Sequence, residues 1–143
     1  MSKLLAVTLA SFVPLAATAG ERLHVIEHAV NETTTHVAAG AKSDSVADLL
    51  TFANPVFDAT NKTQLGTDQG YCVRIVVGKS WECFWTLTLK EGQITVEGPY
   101  SDAGDSILAV TGGTGRYAGA KGQLTLNPRN EKHSTYLFIY ELL

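Results

Sequence analysis

Apolar and polar residues alternate one by one along much of the chain. In Trp81-Glu82-Cys83-Phe84-Trp85-Thr86-Leu87-Thr88-Leu89, one side carries Trp81, Cys83, Trp85, Leu87 and Leu89 and the other Glu82, Thr86 and Thr88. Ile94, Val96 and Tyr100 alternate in the same way against Gln93, Thr95 and Glu97. A period of two is that of a strand with one buried face. Short runs of β-branched and aromatic residues, punctuated by Gly, Asn, Asp or Lys, predict eight strands: Arg22 to Val30, Asp48 to Phe57, Tyr71 to Val77, Trp81 to Leu89, Gln93 to Tyr100, Ser106 to Thr111, Gly122 to Asn127 and Ser134 to Leu142.

Gly78-Lys79-Ser80, Lys90-Glu91-Gly92 and Arg129 to Lys132 are hairpin-sized, so the strands they join run antiparallel. Long connections remain at Asn31 to Ala47, Asp58 to Gly70 and Gly112 to Lys121. Eight antiparallel strands close most simply into a β-barrel of calycin or lipocalin-like architecture, which leaves no exposed edge. An eight-stranded lumen is either filled by side chains or holds one small ligand, and periodicity does not choose between the two.

Residues 1–19 fall outside this pattern. Lys3, the apolar run Leu4 to Leu15 and Ala17-Thr18-Ala19 have the form of a signal peptide with an A-x-A cleavage site. A mature domain of residues 20–143, secreted or periplasmic, is therefore expected. No later stretch is long and apolar enough to span a bilayer, so no membrane association is expected after cleavage.

The net charge of −3 and the scattered basic residues give no stripe for a phosphate backbone, and no nucleic-acid partner is expected. Gly113-Thr114-Gly115-Arg116-Tyr117-Ala118 matches a dinucleotide fingerprint in form, but a new strand follows where the fingerprint requires a helix. His24 and His28 are four apart, about 13 Å along a strand, too far for one metal ion. No metal site and no cofactor are expected, and hydrolase motifs are absent.

Cys72 and Cys83 lie on the two strands of one hairpin, on one face and diagonally adjacent. In an exported chain with only these two cysteines they read as a disulfide, with two buried thiols as the alternative. Glu27 shares strand parity with Leu23, Val25 and Ala29, an otherwise apolar face. It is either an edge position or a carboxyl that is hydrogen-bonded, protonated or used.

Four stretches resemble the allene oxide cyclase family and, more loosely, the dirigent proteins: Ala47 to Asn54, Gly70 to Val73, Glu97 to Tyr100, and Asp105-Ser-Ile-Leu-Ala-Val-Thr-Gly-Gly-Thr-Gly115 followed by Gly122-Gln-Leu-Thr-Leu126. The resemblance implies an eight-stranded barrel with an apolar lumen, a homo-oligomer (dimer or trimer), and work by confinement of a reactive substrate. It places Glu27 on the family's carboxylate, Asn54 on a polar residue of its water site and Cys72 on a lumen cysteine, the candidate catalytic set. Ala29 stands where the cyclases carry a second asparagine, the segment Asn31 to Lys42 lacks their Ser-Pro, and Cys83 has no counterpart in the plant enzymes. A bond between Cys72 and Cys83 would remove the thiol role.

Trp81, Trp85, Tyr100 and Arg74 are the candidate ligand-binding wall, aromatic with one charge, and equally readable as ordinary core. The expected function is an exported barrel that binds a small apolar molecule and guides its cyclisation or stereoselective coupling. As an enzyme it would be an isomerase or cyclase without a cofactor. A noncatalytic lipocalin-like carrier and a filled barrel acting through its surface are the alternatives.

Overall fold

The structure, a computed structural model, describes residues 20–143 except Ala41, and the signal-peptide reading of residues 1–19 lies outside them. The strands are β1 (Arg22–His28), β2 (Glu32–Thr35), β3 (Leu49–Asp58), β4 (Gln64–Val76), β5 (Ser80–Leu89), β6 (Gly92–Ser101), β7 (Ser106–Gly113), β8 (Gly122–Pro128) and β9 (Thr135–Leu142). They form one antiparallel sheet in the order β1-β9-β8-β7-β6-β5-β4-β3-β2. A further pairing of β1 with β3 closes it into a barrel.

Eight strands therefore make the wall, as the alternation predicts, and β2 is an addition. Val25, Ile26 and Glu27 pair with the end of β3, whereas Glu32 to Thr35 pair with its beginning. β1 and β2 thus act as one strand along β3, broken at Ala29 to Asn31. β2 lies in the expected long connection because Glu-Thr-Thr-Thr is exposed throughout and carries no apolar alternation. The other difference is the start of β4, at Gln64 rather than Tyr71, so most of the expected Asp58 to Gly70 connection is strand. The inward positions there are Gly66, Asp68 and Gly70, none of them apolar, and the alternation that reveals a strand is missing.

The barrel has two unlike halves. Val56, Leu87, Ile94, Leu108, Leu124 and Tyr140 are fully buried and fill the lower half. The Gly112 to Gly115 run closes that end with a single 3-10 turn (Gly115–Tyr117), whose Tyr117 is buried, and leads directly into β8. In the upper half the ring of side chains stops short of the axis and leaves a cavity of about 240 Å3.

Cys72 and Cys83 stand directly opposite each other and are disulfide-bonded, with Cα atoms 4.0 Å apart. They are not diagonal, as expected, because a bulge between Arg74 and Val76 shifts the hairpin register. Gly70, opposite Trp85, is fixed by space: a Cβ there would fall 2.2 Å from the Phe84 carbonyl oxygen and 2.4 Å from the Trp85 Cβ.

The disulfide closes a loop between residues 11 apart. Reducing it, or replacing both cysteines by serine, is expected to lower stability by about 2–3 kcal/mol. Urea unfolding with and without reductant checks this, and an unchanged midpoint would show that strand pairing alone holds the hairpin.

Candidate functional site

Glu27 enters the lumen because β1 continues its inward parity through Leu23 and Val25 to the level where the packed core ends. Its carboxyl is buried and accepts a hydrogen bond from Asn54 Nδ2 to Oε1 at 2.7 Å. Asn54, on β3, is itself fully buried. Its Oδ1 accepts from the backbone N–H groups of Val30 at 3.0 Å and Asn31 at 2.9 Å, where the chain steps from β1 to β2. The Ala53 N–H donates to the Asn31 carbonyl at 3.1 Å beside it. Asn54 thus bridges the break in the seam and orients Glu27, a positioning role behind the cavity wall.

A second carboxyl lies beside this pair. Asp68 is the register partner of Asn54 on β4 and is 0% exposed, and neither of its oxygens meets a donor. Its neighbour is the Glu27 carboxyl, another acceptor, so the two groups hydrogen-bond only if a proton lies between them. Burial pushes the Asp68 carboxyl well above the ordinary aspartate range, and the Glu27 charge adds to the shift. Burial likewise lifts Glu27, to about 7, against the lowering effect of the Asn54 amide and with a further push from Glu32. Only Glu27 is backed by an amide donor. Asp68 is therefore the protonated member, donating to Glu27, whose own charge is poised near neutrality.

The cavity above them is lined by Glu27, Glu32, Leu50, Phe52, Cys72, Cys83, Trp85, Tyr100, Leu126, Lys132, His133, Tyr136 and Phe138. Trp85, 2% exposed, forms its aromatic centre: Phe138 lies 5.6 Å away and tilted by 30°, and Phe52 6.1 Å away and edge-on. At the mouth the Tyr100 hydroxyl lies 2.9 Å from His133 Nδ1 and 3.1 Å from the Tyr136 hydroxyl. Burial raises both tyrosine pKa values, so the hydroxyls are neutral at ordinary pH. The Trp85 indole N–H and the Tyr140 hydroxyl are buried without partners.

Of the residues expected from sequence, Glu27, Cys72, Trp85 and Tyr100 line the cavity, and Asn54 holds Glu27 from behind. Cys72 is in the disulfide, so it offers a sulfur surface and no thiol. Arg74 and Trp81, the other two wall candidates, also point inward but sit higher, at the rim. The Arg74 guanidinium sits 3.9 Å from the Trp81 ring centroid and donates to Asp44 at 2.7 Å and to both Asp102 oxygens at 2.7 and 2.8 Å. It ties the loop before β3 to the β6–β7 turn. Asp48, fully buried, fastens the same loop by accepting from His36, Val37 and Ser45, and these bonds hold its carboxyl below the usual range.

Asp68 lies in the first half of β4, where no apolar alternation marks a strand, so the sequence does not single it out. Its signal is parity, since positions 68, 70, 72 and 74 share one face. Phe52 and His133 also went unremarked. Among the described residues no group of three or more His, Cys, Asp or Glu side chains is arranged to hold a metal ion.

The family model for allene oxide cyclase matches residues 21–138. The chain belongs to the allene oxide cyclase family. Solved structures share the fold at low identity. A pyocyanin demethylase is 23% identical, with a TM-score of 0.72, covering 86% of this chain and all (100%) of its own. The exo-specific intermolecular Diels–Alderase AbnU is 14% identical, TM-score 0.69, covering 87% and 98%. The pterocarpan synthase dirigent protein PsPTS1 is 13% identical, TM-score 0.68, covering 85% and 95%. Within this allene oxide cyclase family member the half-buried Ala29 adds no polar side chain beside Glu27, and Asn54 and Asp68 are the polar groups that hold its carboxyl.

A group whose pKa is raised on folding costs stability as pH climbs from its unfolded value to its folded one. For Glu27 that window runs from 4.5 to about 7, and Asp68 adds to the same slope. Stability is expected to fall by on the order of 3 kcal/mol across the window from Glu27 alone. Glu27→Gln and Asp68→Asn should each flatten the profile. Urea midpoints from pH 4.5 to 8 check this, and a flat wild-type curve would show that the carboxyls are not buried as described.

Proposed function

We propose that the protein binds a small apolar, ring-bearing molecule in the upper lumen and guides its cyclisation or stereoselective coupling. The observation that carries this reading is a buried carboxyl, poised near neutrality, in the wall of an otherwise aromatic and aliphatic cavity. Such a site restricts a flexible substrate to one folded conformer and presents one adjustable charge at the reacting centre. Phe52, Trp85, Tyr136 and Phe138 do the confining, Glu27 polarises the reacting centre, and Asn54 and Asp68 set its orientation and charge. Cycloaddition and pterocarpan synthesis are the activities named for two of the fold's neighbours, and both support guidance of a ring closure or coupling.

Export is part of the proposal. A disulfide is stable in an oxidising compartment, and residues 1–19 have the composition of a leader. Among the described residues no helix is long and apolar enough to cross a membrane. The outer face of β4, where Tyr71 and Ile75 are 47% and 52% exposed, is the surface on which we place self-association.

Trp85 reports occupancy. In a Trp81→Phe background, a panel of fatty acids, epoxide analogues and phenolics should include one class that saturably changes Trp85 emission. Turnover of that class should drop about 100-fold or more in Glu27→Gln with affinity little changed. Equal loss of affinity and turnover would favour a carrier, and a flat response across the panel would contradict a ligand-binding lumen.

A further inference from the structure

The floor of the cavity presents one carboxyl, that of Glu27, backed by the buried Asp68 behind it. Glu27 is held by the Asn54 amide and the Asp68 proton, and among the described residues no lysine or arginine forms an ion pair with either carboxyl. Above this negative floor stand the π faces of Phe52, Trp85, Tyr136 and Phe138. Aromatic faces with a carboxylate behind them attract one kind of ligand charge, and most strongly where water is excluded. A neutral apolar ligand would leave an ionised Glu27 without a counter-charge.

We propose that the upper lumen is a receptor for planar aromatic cations, of the class of N-alkylated or protonated nitrogen heterocycles, whose charge takes the place of the Glu27 proton while Asp68 keeps its own. This rests on the cavity reading above and names its ligand class. The ring lies against Trp85 and Phe138, and the charged nitrogen lies toward Glu27. Binding drives Glu27 to its ionised form, so a proton leaves as the cation enters.

The titratable and charged groups facing Glu27 are few. β2 contributes Glu32, β4 contributes Asp68, β6 contributes Tyr100, and β9 contributes Tyr136 and Tyr140. β3 presents only the neutral Asn54, and β5 only Trp85 and the bonded Cys83. The mouth loop between β8 and β9 brings Lys132 and His133. Lys132 is exposed and shares the rim with Glu32, and His133 is engaged with Tyr100. None of these supplies a cation at the floor.

The test uses N-methylquinolinium, whose charge is fixed, and its neutral isostere methylnaphthalene, by calorimetry at pH 6 and 8 in buffers of different ionisation enthalpy. The cation should bind about tenfold tighter at pH 8 than at pH 6, because Glu27 ionises over that interval, and should release close to one proton at pH 6. The neutral isostere should show neither effect. Glu27→Gln should abolish both the pH dependence and the proton release. Asp68→Asn, whose amide can donate to Glu27 in place of the Asp68 proton, should keep both the preference for the cation and its pH dependence, a readout that stands even if the first variant folds poorly. Equal binding of both probes with no proton release would overturn the ligand class and leave the cavity reading standing. Binding of neither probe would overturn both. Cation binding unchanged in Glu27→Gln would place it outside the lumen and overturn the inference.

Discussion

Everything distinctive in this barrel depends on the hydrogen bonds made by one amide, that of Asn54. The closing seam is imperfect: β3 pairs with β2 at one end and β1 at the other, and between them two backbone N–H groups would be left without acceptors. The Asn54 carbonyl oxygen takes both, and its NH2 is thereby turned toward the lumen, where it donates to Glu27. Barrel closure and orientation of the acid are thus one constraint. A residue that satisfied only the seam would leave the carboxyl unheld, and one that served only the carboxyl would leave buried backbone donors unpaired.

The two halves of the barrel divide the labour. Below, close-packed Val, Leu and Ile side chains supply the apolar burial that offsets two poorly solvated carboxyls above them. Above, the same inward parity delivers aromatic rings and acids that do not meet at the axis, because Gly70, opposite Trp85, and Gly98, opposite Cys83, add no side chains to the wall. The disulfide crosses this open half, where packing contributes least. Arg74 and Asp48 pin the long loop above the rim, so the mouth is framed by ion pairs and loop hydrogen bonds.

The fold was legible wherever alternation was strong, as in Trp81 to Leu89 or Tyr136 to Leu142, and invisible where inward positions were not apolar. β2 and the first half of β4 are the two cases, and the second hid Asp68, the partner that makes Glu27 unusual. Glu27 itself stood out through parity alone. Parity tells which way a side chain points but not how high in the barrel it sits, so it does not separate Arg74 and Trp81, at the rim, from Trp85 and Tyr100, on the cavity wall. The pairing of Asn54 with the β1–β2 break is a contact between distant segments and left no local mark in the sequence.

The central claim is that Glu27 and Asp68 share a proton at neutral pH. Infrared spectroscopy of the protein reads this directly, through the carbonyl stretch that a carboxyl shows only while protonated. At pH 7 a protonated-carboxyl band should be present in the wild type, reduced or shifted in Glu27→Gln, and lost in Asp68→Asn once Glu27 ionises. A wild-type spectrum at pH 7 with no such band would mean that both carboxyls are ionised and would contradict the shared proton on which the site is built.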